Sequence, residues 1–218
     1  MGTDMGTDST SLLLLLNWMS PTFPIGSFAY SHGLEQAIAD GHVRTQEDVQ
    51  AWIADLLQSG SGWNDAALFS LCWSVDNDEL NQMALALAGS AERYMEATQL
   101  GRNFGIAAEV WTDRKQLDGD WAYAVAAGAA CVHMGIPQEQ AVTAYLQGYC
   151  AALVSVAVRL VPLGQTSGLK VLRNLAPLIA ATATRACAAT LDDLGSNCIS
   201  ADIATMKHET LETRIFRT

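Results

Sequence analysis

Positive charge, catalytic signatures and strand patterning are what this chain has least of. Twelve Lys and Arg stand against 23 Asp and Glu, a formal net charge of −11. Such a surface field repels phosphate backbones, so nucleic acid is not an expected partner. No P-loop, no GxGxxG after a strand, no HExxH and no GxSxG occurs, which removes the common nucleotide, metalloprotease and hydrolase signatures. The five cysteines, Cys72, Cys131, Cys150, Cys187 and Cys198, include no CxxC pair. Three of them, Cys131, Cys150 and Cys187, lie in Ala-rich stretches where a free thiol acts as a small apolar filler, which suits a reduced, cytoplasmic setting. No Lys or Arg precedes the Leu run at 12–16, so the start lacks the positive region of a secretory signal.

No run of alternating apolar and polar residues is bracketed by hairpin turns, while half of the residues are hydrophobic and many are Ala. The expectation is an all-α fold, a single-domain bundle of about eight to ten helices. It divides into a disordered leader (1–11), a helical bundle (12–195) and a C-terminal docking tail (196–218). The leader reading rests on the tandem MGTDMGTD, which is polar and repetitive.

The organising stretch is QAVTAYLQGYCAALVSVAVRLVPLGQTSGLK, residues 140–170. Val142, Leu146, Tyr149, Leu153, Val156 and Leu160 recur at steps of four and three, one buried stripe of a helix. A second stripe, Gly148, Ala152 and Ser155, is small enough for another backbone to approach, and Arg159 follows one turn later. Pro162 removes a donor and forces Val161 out of the α region, so the helix is expected to stop near Leu160. Arg159 then occupies a last turn, where the macrodipole favours a cation. By itself this reads as a core helix whose one Arg snorkels or caps carbonyls. Residues 140–158 carry no formal charge, yet Thr143, Gln147, Ser155 and two Tyr interrupt them, so a buried helix is expected and no membrane span.

Around it the pattern predicts a short helix over 12–18, a second over 30–40, and a third after the capping box Thr45/Asp48 with Val49, Trp52, Ile53, Leu56 and Leu57 on one face. Asn64 and Asp78 are candidate caps for the next two. Helices follow over 90–111, 120–134, 137–160 and 166–190, the last kinked at Pro177, with a polar loop over 113–119. After the turn at 192–195 the segment ADIATMKHETLETRIFRT holds cations and the anchors Ile215 and Phe216 but no core of its own, so it frays or docks.

His32 and Glu35 stand three apart on a helical pattern, and His208 precedes Glu209, but two ligands do not make a metal site. No metal and no cofactor are expected.

Three segments, SPTFPIGSFAYSHGLEQAIADG (20–41), YLQGYCAALVSVAVRLVPLGQTSG (145–168) and SADIATMKHETLETRIFRT (200–218), resemble in order and spacing the signatures of the urease accessory protein family UreF. The likeness covers nearly the whole chain after its leading repeat. It implies an all-α dimer that is not an enzyme. Such a dimer works in a nickel-delivery complex with a UreD/UreH-type accessory protein and a UreG-type GTPase, and the complex activates apo-urease. By resemblance Arg159, before the PLGQ turn, faces the GTPase and bears on its activity, and Glu35 of SHGLE lies on the same side. The resemblance also places Lys207, His208, Glu209, Arg214, Phe216 and Arg217 in the tail that orders on the UreD/UreH partner. Two departures stand out: His32 replaces the Gln of many relatives, and the MGTDMGTD leader has no counterpart. The alternative is an all-α enzyme or small-molecule binder with a buried pocket among Glu96, Cys131, Tyr149 and Cys150.

Overall fold

The computed structural model describes residues 5–113 and 119–218, with side chains from residue 9 onward. Among them there are ten α-helices, two 3-10 turns and no strand. The helices are α1 (Met5–Trp18), α2 (Leu34–Ala39), α3 (Gln46–Ser59), α4 (Ser61–Leu71) and α5 (Asn77–Ala86). They continue with α6 (Ala91–Thr112), α7 (Tyr123–His133), α8 (Gln138–Leu160), α9 (Gln165–Cys187) and α10 (Ile199–His208).

α8 is the axis, packed by α9, α4, α2, α3, α7 and α1. Its expected apolar stripe is covered: Val142, Leu146, Leu153 and Val156 are buried, and Tyr149 and Leu160 are partly so. The helix ends where Pro162 requires, with Val161 extended at φ −98° and ψ 141°. Its length and hydropathy match a bilayer span, yet half of that span is already buried inside the protein. Around it a chain of rings fills the core. Trp18 meets Phe104 edge-on at 5.6 Å, Phe104 packs on Tyr123, Tyr123 on Tyr145, and Tyr145 on Phe69.

Several elements differ from the sequence expectation for identifiable reasons. α1 begins at Met5, so residues 5–11 of the supposed leader are helical; Ser11, Leu14, Leu15 and Trp18 are buried and anchor the helix, which propagates back to Met5. Residues 1–4 of the leader, and 114–118 of the expected polar loop, lie outside the described residues. α2 starts at Leu34 instead of Tyr30, because His32 and Gly33 both take positive φ (50° and 76°). α4 is capped by Gly60, and Asn64 instead accepts from the Gly195 amide at 2.8 Å. α5 is capped by Asp76, whose carboxylate accepts from the Asp78 and Glu79 amides. α9 continues through Pro177, as the pattern expects, and stops at Cys187 short of residue 190.

Gly33 matters twice. Its left-handed backbone suits glycine, and a Cβ there would sit 3.0 Å from both the Ala201 carbonyl oxygen and the Ala204 Cβ. Its absence lets α10 lie directly on α2, which brings the C-terminal segment onto the Ser31-His32-Gly33 turn and the start of α2.

Candidate functional site: a seated C-terminal segment

The tail that the sequence left as frayed or docked is docked on its own chain. Glu35, on the first turn of α2, is 5% exposed and gathers it. Its Oε1 accepts from the Ile215 amide at 2.7 Å and its Oε2 from the Phe216 amide at 2.9 Å. The same Oε2 lies 2.9 Å from Nε2 of His208, whose Nδ1 is 2.8 Å from Glu92 of α6. Arg214 pairs with the other Glu92 oxygen. The Arg217 amide donates to the Ala29 carbonyl at 2.8 Å, and Ser31 donates through its amide and its hydroxyl to the Thr218 carbonyl. A carboxylate taking two amides and an imidazole in a dry site is far more strongly held than a surface ion pair.

A second polar group adjoins the first through Thr218, whose hydroxyl donates to Glu96 at 3.2 Å. Glu96 also pairs with Arg93 and lies 3.0 Å from His32 Nε2. His32 Nδ1 is 3.3 Å from the Ser61 hydroxyl, which is 2.9 Å from that of Tyr149. Arg93 reaches Asp65 at 3.8 Å, and Tyr145 donates to Asp65 at 3.3 Å. Burial pushes the Glu96 carboxyl up, but Arg93 and then His32 outweigh it together and hold it at about 2. For Asp65 burial wins over Arg93 and the carboxyl is raised. Burial also drives the Tyr145 and Tyr149 phenols upward. These groups line part of a cavity of about 250 Å³, with Trp18 and Tyr123 among its apolar walls.

Each residue singled out in the sequence now has a place. Arg159 is exposed on the last turn of α8, and its guanidinium lies over the Phe216 ring, 6.0 Å from the centroid. Glu35, His208 and Phe216 are buried, so in this seating they offer no surface to another protein. Lys207, Glu209, Arg214 and Arg217 are exposed around them; Lys207 pairs with Asp40 at 3.4 Å, Glu209 accepts from the Ala91 amide, and Arg217 donates to Gln99. Of the small-residue stripe, Gly148 is used within the chain, where a Cβ would come 3.0 Å from the Met19 carbonyl oxygen. Ala152 is half-buried and Ser155 faces outward.

Sequence reasoning missed Glu92, Arg93 and Asp65 as members of one network. No spacing rule links α2, α4, α6 and α10. Glu96 and Tyr149 of the supposed pocket do line the cavity, whereas the two thiols named with them do not. Burial pushes the Cys150 thiol up to about 12 and raises Cys131 further, the opposite of what a nucleophile needs. Among the described residues no group of three or more His, Cys, Asp or Glu is placed to hold a metal ion.

Comparison with known proteins gives a consistent result. A family model described as UreF matches residues 43–176. The chain is 43% identical over 216 residues to "Urease accessory protein UreF 1" of Brucella abortus biovar 1 (strain 9-941), covering 96% of this chain and 95% of that protein. It is 45% identical over 214 residues to "Urease accessory protein UreF" of Rhizobium etli (strain CFN 42), covering 95% and 96%.

Proposed function

The chain belongs to the UreF family of urease accessory proteins, a non-catalytic family, and from that premise we propose that it is a scaffold and regulator in the nickel-insertion complex that activates apo-urease. In this reading it makes and breaks no bonds. It presents surfaces to a UreD/UreH-type accessory protein and to a UreG-type GTPase, as a homodimer in the cytoplasm.

The observation that carries the reading is Arg159. Among the described residues it makes no ion pair, it is exposed, and its guanidinium lies over the Phe216 ring. A planar, fully charged fork left free at a helix end suits a carboxylate or carbonyl of a partner, here assigned to the GTPase. The UreD/UreH-type partner is assigned to α10 and the segment after it. There Ile199, Ile203 and Met206, at steps of four and three, are exposed together with Ile215. An uncovered apolar stripe of this kind is costly to leave in water and suits another protein's groove.

The test is reconstitution of urease activation from apo-urease, nickel, bicarbonate, GTP and the accessory proteins, with this chain as the variable. Activation that depends on the chain, and that Arg159→Ala abolishes while the variant remains folded, supports the reading. Full activation without the chain overturns it. The enzyme or small-molecule reading keeps Glu96 and Tyr149 at the cavity but has lost its thiols to burial.

A further inference from the structure

Packed interiors leave few voids larger than a water molecule, yet the cavity among α4, α6, α7 and α8 holds about 250 Å³. Asp65 of α4, Arg93 and Glu96 of α6, Tyr123 of α7, and Tyr145 and Tyr149 of α8 line it. Phe28 and Leu87 line it too and are 56% and 39% exposed, so its rim reaches solvent. α10 adds Asp202, which the Ser196 hydroxyl engages, but the six groups named first belong to the bundle and none to the C-terminal segment.

The carboxylates of Asp65 and Glu96 are unequally partnered. Glu96 takes Arg93, His32 Nε2 at 3.0 Å and the Thr218 hydroxyl. Asp65 takes the Tyr145 hydroxyl at 3.3 Å and the Arg93 guanidinium at 3.8 Å, both at Oδ2. Each contact is long for its kind, and Oδ1 accepts from neither. Arg93 carries one charge and Glu96 is its nearer partner, so the wall is one positive charge short at Asp65. Burial raises the Asp65 carboxyl, which accords with a carboxylate that lacks a close counter-charge.

That deficit selects among ligands. An anion would be repelled, and a neutral apolar molecule would strip water from the carboxylate without replacing it. A metal ion needs more than one uncommitted carboxylate, and among the described residues no group of three or more His, Cys, Asp or Glu is placed to hold one. An ammonium head answers the deficit with a charge-assisted hydrogen bond, and tyrosine rings suit both a cation and a short carbon chain. We propose that the cavity binds a small organic cation of the primary alkylammonium class, with Asp65 Oδ1 as its counter-ion and the rings of Tyr123, Tyr145 and Tyr149 about its chain. Such binding makes and breaks no bonds, so it adds a ligand to the scaffold and leaves its role in activation as proposed.

The experiment is an NMR titration of the isotope-labelled full chain with pentylammonium chloride, at ionic strength held constant with sodium chloride. Saturable shifts should cluster at Asp65, Tyr123, Tyr145 and Tyr149, with a dissociation constant on the order of millimolar, as a ligand of this size allows. 1-Pentanol and sodium pentanoate, which share the chain but not the cation, should bind about tenfold more weakly or worse, the size expected for losing one charge-assisted hydrogen bond. Asp65→Asn should weaken pentylammonium binding by about the same factor, whereas Asp192→Asn, which removes an exposed carboxylate elsewhere, should leave it unchanged. If Asp65→Asn fails to fold, the comparison of the three probes on the unmodified chain decides the matter alone. Equal affinity for 1-pentanol, shifts spread over the surface carboxylates, or no saturable binding overturns the inference. Because urease activation is not the readout, either result leaves the urease reading untouched.

Discussion

The guanidinium of Arg159 lies over the ring of Phe216, 6.0 Å from its centroid, so the end of α8 and the C-terminal segment meet at one point. Arg159 is exposed and Phe216 is 4% exposed, which makes the pair a lid of charge over an apolar anchor. An exposed cation–π contact contributes about 0.5–1 kcal/mol. Arg159→Ala is therefore expected to shift unfolding by less than about 1 kcal/mol in a urea titration while removing urease activation. A variant that unfolds outright would mean that the Arg serves the core.

Glu35→Gln is expected to be far more costly. The buried carboxylate accepts from His208 and from two amides, and an amide side chain has only one acceptor oxygen to replace two. The expected cost is about 2–4 kcal/mol, with the tail released before the bundle unfolds. Limited trypsin digestion checks it: cleavage after Arg214 and Arg217 should become rapid while α1 to α9 stay intact.

How far the sequence foretold this arrangement depends on range. α8 was legible because its stripe, its stop at Pro162 and the place of Arg159 are all local signals. So was the Thr45/Asp48 capping box of α3. The start of α2 was not legible, because nothing nearby shows that His32 takes a positive φ to reach Glu96 and Ser61. The contact of Glu35 with His208 spans 173 positions, and the Glu92, Glu96 and Asp65 contributions come from other helices, beyond any periodicity argument. The tail's sequence shows anchors in Ile215 and Phe216 but no core of its own. That its groove lies on its own chain is a property of the packed bundle.

Gly101 marks a close approach that sequence could not reveal. A Cβ there would fall 1.9 Å from the Trp121 carbonyl oxygen, a contact with backbone that no rotamer relieves. Gly101→Ala should destabilise by about 1–3 kcal/mol by parting α6 from the approach to α7, despite alanine's better helix propensity. Its thermal midpoint should fall, whereas Gly89→Ala, with open space at the site, should leave that midpoint nearly unchanged.

Acid sensitivity should trace to Glu96. Its carboxyl is held at about 2 against an ordinary value of 4.5, so the folded state prefers the ionised form. Its contribution is complete above about 4.5 and is lost as pH falls from there through about 2. Urea midpoints measured across that window should drop steeply for the unmodified chain, and Glu96→Gln should start lower and fall less.

The most direct test of the central account is capture of a UreD/UreH-type protein by the full chain and by a chain lacking residues 207–218, each first shown by circular dichroism to retain its helix content. Firm capture by the full chain and loss of capture by the shortened one is the expected result. Equal capture by both would contradict the assignment of the C-terminal segment as the docking element.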